Sequence, residues 1–170
     1  ESYGGGKKNW MSFDLYKSII DQISDSVYSV NLNHINEPLI RKDIPDFISY
    51  AVEKGITEVM FNTNGMLLSE EMSKRLIDSG LTKLSVSIDA TTPDVYDQIR
   101  VGGDFEKVLT NIEKFIHIKK KMDKSLPLLK VTFLIVETNS HQLDAFIEYW
   151  RGKADLLSLQ YPVNPFSGKT

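Results

Sequence analysis

Residues 58–90, EVMFNTNGMLLSEEMSKRLIDSGLTKLSVSIDA, contain the pattern that decides the fold of this chain. Two short apolar segments, Glu58–Asn62 and Lys83–Ile88, have the composition and length of β-strands. Between them, apolar residues recur at helical spacing from a Ser69 cap to a Gly80 stop signal. A helix that joins two neighbouring strands makes a crossover connection, so this segment predicts a βαβ unit with parallel strands.

The same alternation of helical and strand patterns continues in both directions from this unit. The other helices are predicted at Phe13–Ile23 behind a Ser12 cap, at Ile44–Lys54, from Thr92-Pro93-Asp94, at Phe105–Met122, and at Leu143–Trp150 behind a capping box at Asn139–Gln142. The other strands are predicted at Val27–Leu32, Leu128–Val136 and Leu156–Gln160. This order predicts an α/β fold with one parallel sheet buried on both faces. An open doubly wound sheet and a partial (β/α) barrel fit it equally well.

The composition is that of one globular unit. The chain has 170 residues, of which 41% are hydrophobic and 25% charged, and this length suits a single core. A net charge of −3 gives no general affinity for nucleic acid or for anionic membranes, and no apolar run reaches the ~20 residues of a membrane span. The absence of cysteine excludes disulfides and thiolate metal sites within these residues.

Ligands of parallel α/β folds gather at the carboxyl ends of the strands, so the loops there contain the candidate site. In the loop after the first predicted strand, Glu37 precedes a proline that holds it extended. A carboxylate beside free backbone carbonyls would receive an ammonium group, although an ordinary β–α turn explains the same residues. The next loop contains Thr63 before Asn64-Gly65, a dipeptide typical of tight turns.

The third strand end carries a polar stripe. Ser85, Ser87 and Asp89 alternate with Val86 and Ile88, which predicts three polar side chains on one face of a central strand. A polar face inside a buried sheet is costly unless something binds there. We therefore expect a ligand at this strand end, with Asp89 placed to accept ribose hydroxyls.

Five segments in this order resemble the radical S-adenosylmethionine (SAM) superfamily, and most of all its members with a C-terminal auxiliary-cluster (SPASM or twitch) extension. The segments are Asn36–Leu39, Thr63–Leu68, Ser85–Ala90, Tyr96–Arg100 and Phe105–Ile112. The similarity runs from about Met11 to Gln160. It implies a partial (β/α)6 TIM-like barrel with parallel strands, whose first strand and cluster loop are not in this chain. Residues 1–170 would then form a partial radical SAM core domain without the auxiliary-cluster domain.

The resemblance also implies roles for individual residues. Asn36-Glu37-Pro38 matches the end of the family's glycine-glycine-glutamate-proline motif, which binds the methionine amino group of SAM; Ile35 and Asn36 replace the two glycines. Ser87 and Asp89 resemble the ribose and carboxylate contacts, Arg100 the residue that pairs with the SAM carboxylate, and Val136 and the Gln160 region would flank the adenine. The expected SAM-binding residues are Asn36, Glu37, Pro38, Thr63, Ser87, Asp89, Arg100 and Val136.

The family's [4Fe–4S] cluster is held by a C-x3-C-x2-C motif, and SAM binds its fourth iron. This chain has no cysteine, so the cluster ligands are expected upstream of Glu1, and an auxiliary iron–sulfur cluster would lie beyond Thr170. The resemblance implies a cytoplasmic enzyme that makes a 5′-deoxyadenosyl radical and abstracts hydrogen from a small-molecule or peptide substrate. An electron donor would be its partner, and neither nucleic acid nor a membrane is expected to bind it. Residues 1–170 alone are expected to be inactive.

Two other functions fit the residues. One is a barrel hydrolase or aldolase that uses Glu37, Asp89 or His34, although no lysine at a strand end and no G-x-S-x-G motif supports it. The other is a cluster-less binding or scaffold module that has kept the fold without the chemistry. Three closely spaced cysteines upstream of Glu1 would distinguish the radical enzyme from both.

Overall fold

A computed structural model describes residues 10–162 of the chain. Its centre is a single sheet of five parallel strands that follow one another in chain order. The strands are β1 (Ser29–Asn31), β2 (Glu58–Thr63), β3 (Lys83–Ser87), β4 (Leu128–Leu134) and β5 (Leu156–Gln160). The predicted parallel α/β fold is confirmed. Because the strand order never reverses, the sheet follows the barrel alternative and not the doubly wound one.

Residues 10–162 contain six α-helices, which alternate with these strands except that two of them follow one another between β3 and β4. They are α1 (Phe13–Ile23), α2 (Ile44–Glu53), α3 (Glu70–Asp78), α4 (Pro93–Ile99), α5 (Phe105–Lys121) and α6 (Leu143–Trp150), with 3₁₀ turns at Pro38–Ile40 and Ser140–Gln142. The predicted Ser12 and Ser69 caps are confirmed, because their hydroxyls accept the backbone N–H groups of Leu15 and Met72 at 3.2 and 3.1 Å. In the described residues, none of these helices combines the length and the apolar composition needed to cross a bilayer.

Three strands are shorter than predicted, and β3 differs least because it ends at Ser87, one residue early. β1 begins at Ser29 because the Val27 N–H donates to the Ile23 carbonyl, which places Val27 in the turn that ends α1. β4 ends at Leu134, and the next residues turn toward a loop held by the Asn139 side chain. Apolar, β-branched residues continue across both boundaries, so composition did not reveal where the ladder stops.

The structure lacks the predicted capping hydrogen bonds at the start of two helices. The Thr92 hydroxyl does not cap α4; it accepts a hydrogen bond from the Gln142 side chain at 2.8 Å. The predicted capping box before α6 is absent, because the 3₁₀ turn Ser140–Gln142 intervenes and the Asn139 side chain bonds elsewhere. Both side chains are used for contacts between elements that are distant in sequence.

The two faces of the sheet differ. Phe61, Val86 and Phe133 lie on the outer face and are fully buried; the Phe133 ring packs on Phe146 of α6 with 4.6 Å between centroids. The inner face is polar, and the Ser85 and Thr132 hydroxyls bond to each other at 3.2 Å across β3 and β4. The prediction that all strands are buried on both faces is wrong for β1 and β5, whose residues are exposed or half-buried because each has one neighbouring strand in the described sheet.

Tyr16 of α1 has an unusual environment. Its ring packs against Phe47 with 4.6 Å between centroids, and its hydroxyl is buried without a hydrogen-bond partner among residues 10–162. Burial raises the pKa of Tyr16 from 10.0 to about 12. Between those pH values the unfolded chain loses this proton while the folded chain keeps it, so the stability present below pH 10 is lost as pH rises toward 12.

Tyr16→Phe is therefore expected to raise the free energy of unfolding by about 1 kcal/mol at pH 7, because it removes an unsatisfied buried hydroxyl. It should also reduce the loss of stability between pH 10 and 12, by an amount that approaches about 2–3 kcal/mol. Urea unfolding at pH 7 and pH 11 measures both. Tyr149→Phe is the contrasting variant: the Tyr149 hydroxyl donates to Glu113 at 2.6 Å, so its loss should not stabilise the chain at pH 7. An unstabilised Tyr16→Phe would contradict the assignment of an unsatisfied hydroxyl.

Candidate functional site

Glu37 connects the loops that follow β1 and β2. Its Oε1 accepts hydrogen bonds from the Leu39 N–H at 3.0 Å and the Thr63 hydroxyl at 2.7 Å, and its Oε2 accepts the Asn64 N–H at 2.8 Å. Three donors thus point at one half-buried carboxylate. Oε2 keeps one acceptor position, because each carboxylate oxygen offers two lone pairs.

The turn after β2 is built around this carboxylate. The Thr63 Oγ1 also accepts the Gly65 N–H at 3.1 Å, which closes the turn. Gly65 has φ +77°, and a Cβ there would lie 3.0 and 3.1 Å from Val86 and Val108 methyl carbons. The glycine is therefore required both by its backbone conformation and by the packing of the turn on β3 and α5.

Asn33 makes a second connection between these loops. Its Oδ1 accepts the Asn62 N–H at 2.9 Å, and its Nδ2 donates to the carbonyls of Asn62 and Asn36 at 3.1 and 3.3 Å. Asn33 lies in the loop after β1, three residues before Asn36, and was not among the predicted site residues. Its proximity to Asn36-Glu37 was the available signal, but pairing with Asn62 depends on strand register.

Asp89 leaves the polar stripe that the sequence predicts. β3 ends at Ser87, and Asp89 has φ +50°, which turns its carboxylate toward β4. Its Oδ1 accepts the Leu134 N–H at 2.7 Å, and its Oδ2 accepts Arg100 Nε at 2.7 Å together with Arg100 Nη2. The side chain is 1% exposed, so in this structure it is enclosed by protein and presents no surface to a ribose.

Asn139 extends the network on the opposite side of Asp89. Its Nδ2 donates to the carbonyls of Asp89 and Leu134 at 2.8 Å, and its Oδ1 accepts the Val136 N–H at 2.8 Å. Asn139 is fully buried and joins the ends of β3 and β4. The sequence indicated only a helix cap at this residue.

A cavity of about 220 Å³ lies at the carboxyl edge of the sheet. The predicted site residues that line it are Asn36, Glu37, Thr63, Ser87 and Arg100. The other three are elsewhere: Asp89 lies behind Arg100, Pro38 is buried in the 3₁₀ turn, and Val136 is half-buried in the loop after β4. Parallel strands account for the convergence, because all their carboxyl ends meet at one edge.

A larger cavity of about 620 Å³ lies between α1 and the edge of β1 that has no partner strand within residues 10–162. It is mostly apolar, and it shares Asn33, His34 and Asn36 with the smaller one, so the two adjoin. Cofactor sites commonly combine apolar walls with a few convergent polar groups, within 300–1,000 Å³ as an order of magnitude.

The polar groups of the smaller cavity match the amino-acid end of SAM. Glu37 offers a free acceptor position to an ammonium group, and Arg100 Nη1 has no protein partner among residues 10–162 and suits a carboxylate. The Ser87 hydroxyl is also unpaired there and suits a ribose hydroxyl. These residues fit SAM. They do not fit an iron–sulfur cluster, because the sequence has no cysteine and no group of three possible metal ligands occurs among the described residues.

Comparison with known proteins identifies the family of this chain. The family model "Radical SAM superfamily" matches residues 2–150. A probable GTP 3′,8-cyclase of Methanococcus maripaludis is 37% identical over 123 residues, which are 72% of this chain and 39% of that protein. A probable GTP 3′,8-cyclase of Methanocaldococcus jannaschii is 36% identical over 123 residues, with the same coverage. This chain therefore spans about two fifths of the length of the curated relatives it matches.

One solved structure shows the same fold. Native anSMEcpe with bound AdoMet superposes with a TM-score of 0.73 at 16% identity, over 97% of this chain and 46% of that one. At this identity the superposition demonstrates the fold, which is the predicted parallel partial barrel. The family that the five segments resemble is thus confirmed over most of the sequence. This chain belongs to the radical SAM superfamily.

Proposed function

We propose that this chain is the SAM-binding part of a radical SAM enzyme whose cluster cysteines lie outside residues 1–170. The observation that carries the proposal is the convergence of Glu37, Ser87 and Arg100 on one cavity in a chain of this family. An acceptor, a hydroxyl and a guanidinium at one strand edge complement the ammonium, ribose and carboxylate of SAM.

When bound, SAM and a reduced [4Fe–4S] cluster would supply a 5′-deoxyadenosyl radical that abstracts a substrate hydrogen. The residues of this chain would bind and orient SAM. Glu37 accepts the ammonium while it holds two loops together, Arg100 donates to the carboxylate, and Ser87 bonds the ribose. Asn36 and Thr63 line the cavity, whereas Pro38 and Val136 act through the backbone of their loops.

The contacts of Glu37 and Asp89 weigh against a hydrolase or aldolase. Both carboxylates already accept several protein hydrogen bonds, and Asp89 is enclosed. His34 is exposed, and no bond to its ring is formed in residues 10–162. A catalytic acid or base needs access to the proton it transfers, which Asp89 lacks, and a partner that orients it, which the His34 ring lacks among these residues, so these groups are poor candidates. The scaffold module is the function that would apply if the full-length protein bound neither iron nor SAM.

Within this activity we propose a small-molecule substrate. The support is the name of the curated relatives, probable GTP 3′,8-cyclases, which makes GTP the first compound to assay. A peptide substrate is the alternative outcome. The auxiliary-cluster domain and the electron donor belong to the same proposal.

The test uses the full-length protein, purified without oxygen and supplied with iron and sulfide. We expect a bound [4Fe–4S] cluster, SAM binding by calorimetry, and release of 5′-deoxyadenosine after reduction. Residues 1–170 alone should release none, because they contain no thiolate to hold the cluster. A full-length protein that binds neither iron nor SAM would replace the enzyme by a scaffold module.

Ser87→Ala in the full-length protein is expected to weaken SAM binding by roughly 0.5–1.5 kcal/mol, the usual contribution of a hydrogen bond between neutral groups. Ser87 is half-buried and lines the cavity, so little stability should be lost. Ser26→Ala is the control, because Ser26 is exposed in the turn after α1 and outside the cavity. Equal SAM affinity in the two variants would contradict a ribose contact at Ser87.

A further inference from the structure

We infer that Asp89 is a positioning residue: it fixes the guanidinium of Arg100 for the carboxylate of SAM and makes no contact with the ribose. The inference rests on the proposed SAM site and assigns different roles to two of its residues. Asp89 and Arg100 lie in two of the five segments that resemble the family, and the resemblance implied a direct contact with SAM for each. Their geometry gives them different roles.

The acceptor positions of Asp89 are directed at protein. Arg100 Nε and Nη2 both donate to Oδ2, and the Leu134 N–H donates to Oδ1. With 1% of its side chain exposed, the carboxylate has no open surface toward the cavity. A buried charge of this kind is tolerated only when it is paired and hydrogen-bonded, and Arg100 provides the pairing.

The Arg100 side chain is 35% exposed and lines the cavity. One edge of its planar guanidinium is occupied by Asp89, whereas Nη1 has no partner in the described part of the chain. A guanidinium held along one edge presents its remaining N–H groups in a fixed direction, which suits a carboxylate. Asp89 thus removes the conformational freedom that a lone surface arginine would have.

The backbone on both sides of the pair is also fixed. The Arg100 N–H donates to the Tyr96 carbonyl at 2.7 Å, and the Gly103 N–H donates to the Arg100 carbonyl at 2.8 Å. A Cβ at Gly103 would lie 2.7 Å from Tyr96 Cε1, so the chain passes too close for a side chain. Behind Asp89, Asn139 donates to its carbonyl at 2.8 Å. The guanidinium is therefore anchored to α4 and to the ends of β3 and β4.

The experiment separates a contact with the SAM carboxylate from a contact with the nucleoside. Binding of SAM and of 5′-methylthioadenosine, which keeps the ribose and adenine but lacks the amino-acid end, is measured for the full-length protein and its variants. We expect Asp89→Asn and Arg100→Ala each to weaken SAM binding at least tenfold and to leave methylthioadenosine binding unchanged. The double variant should be no weaker than Arg100→Ala, since both changes remove one interaction.

Asp97→Asn is the matched control, because Asp97 is exposed on α4, the helix whose C-cap is Arg100. Arg100→Lys keeps the charge, loses the fork that Asp89 grips, and should also weaken SAM selectively. Loss of methylthioadenosine binding in folded Asp89→Asn, checked by circular dichroism, would make Asp89 a nucleoside contact and overturn the inference. So would an Asp89→Asn variant with unchanged SAM affinity. If the unmodified protein binds neither ligand, the proposed function itself fails.

Discussion

Glu37→Gln is expected to lower the free energy of unfolding by about 1.5–3 kcal/mol and to weaken SAM binding at least tenfold. The Glu37 carboxylate accepts from three donors, namely the Leu39 N–H, the Asn64 N–H and the Thr63 hydroxyl. Glutamine has a single acceptor oxygen, so its amide NH₂ must face one of those donors. The two loops would separate, and the charge that attracts an ammonium group would be lost.

Chemical denaturation and calorimetry of the full-length variant measure the two effects. Glu53→Gln is the control, because Glu53 is exposed at the end of α2 and should change stability by no more than about 0.5 kcal/mol. A Glu37→Gln protein that loses stability but binds SAM normally would limit Glu37 to a structural role. Unchanged stability would contradict the three hydrogen bonds.

Phe133→Ala is expected to lower the free energy of unfolding by about 3–5 kcal/mol, the largest effect on stability that we expect here. Phe133 is fully buried on β4, and its ring packs on Phe146, which in turn packs on Trp150. Removing the ring leaves a cavity between the sheet and α6. β4 also carries the Leu134 N–H that donates to Asp89, so SAM binding should decline as well.

The free energy of unfolding in urea is measured for the unmodified 170-residue chain, for Phe133→Ala and for the control variant Val101→Ala. Val101 is 91% exposed, so its truncation should change the free energy of unfolding by no more than about 0.5 kcal/mol. A loss below about 1 kcal/mol for Phe133→Ala would show that β4 and α6 do not pack as a single core.

The spacing of apolar residues was sufficient to predict the helices and strands. That spacing shows which side of a segment is buried, and it can be read from the segment alone. The αβ alternation predicted every α-helix and strand of residues 10–162, and the boundaries that differ from the prediction moved by one or two residues. It overextended β1, where the Val27 N–H bonds to α1. Only the partners of backbone groups determine where a strand begins, and residues far apart in sequence supply them.

The sequence by itself determined that Glu37, Thr63 and Ser87 would meet, because each lies at the carboxyl end of a strand of one parallel sheet or in the loop after it, and the family resemblance added Arg100. Tertiary structure decided what each of them does there. Asp89 has the side chain and the sequence position expected of a ribose ligand. Its φ of +50° and its hydrogen bond from the Leu134 N–H instead place its carboxylate behind Arg100. The order of helices and strands along the chain specifies the edge of the sheet at which a side chain lies. The partners of that side chain depend on backbone dihedral angles and on groups brought close by folding, such as Leu134, which is 45 positions away in sequence.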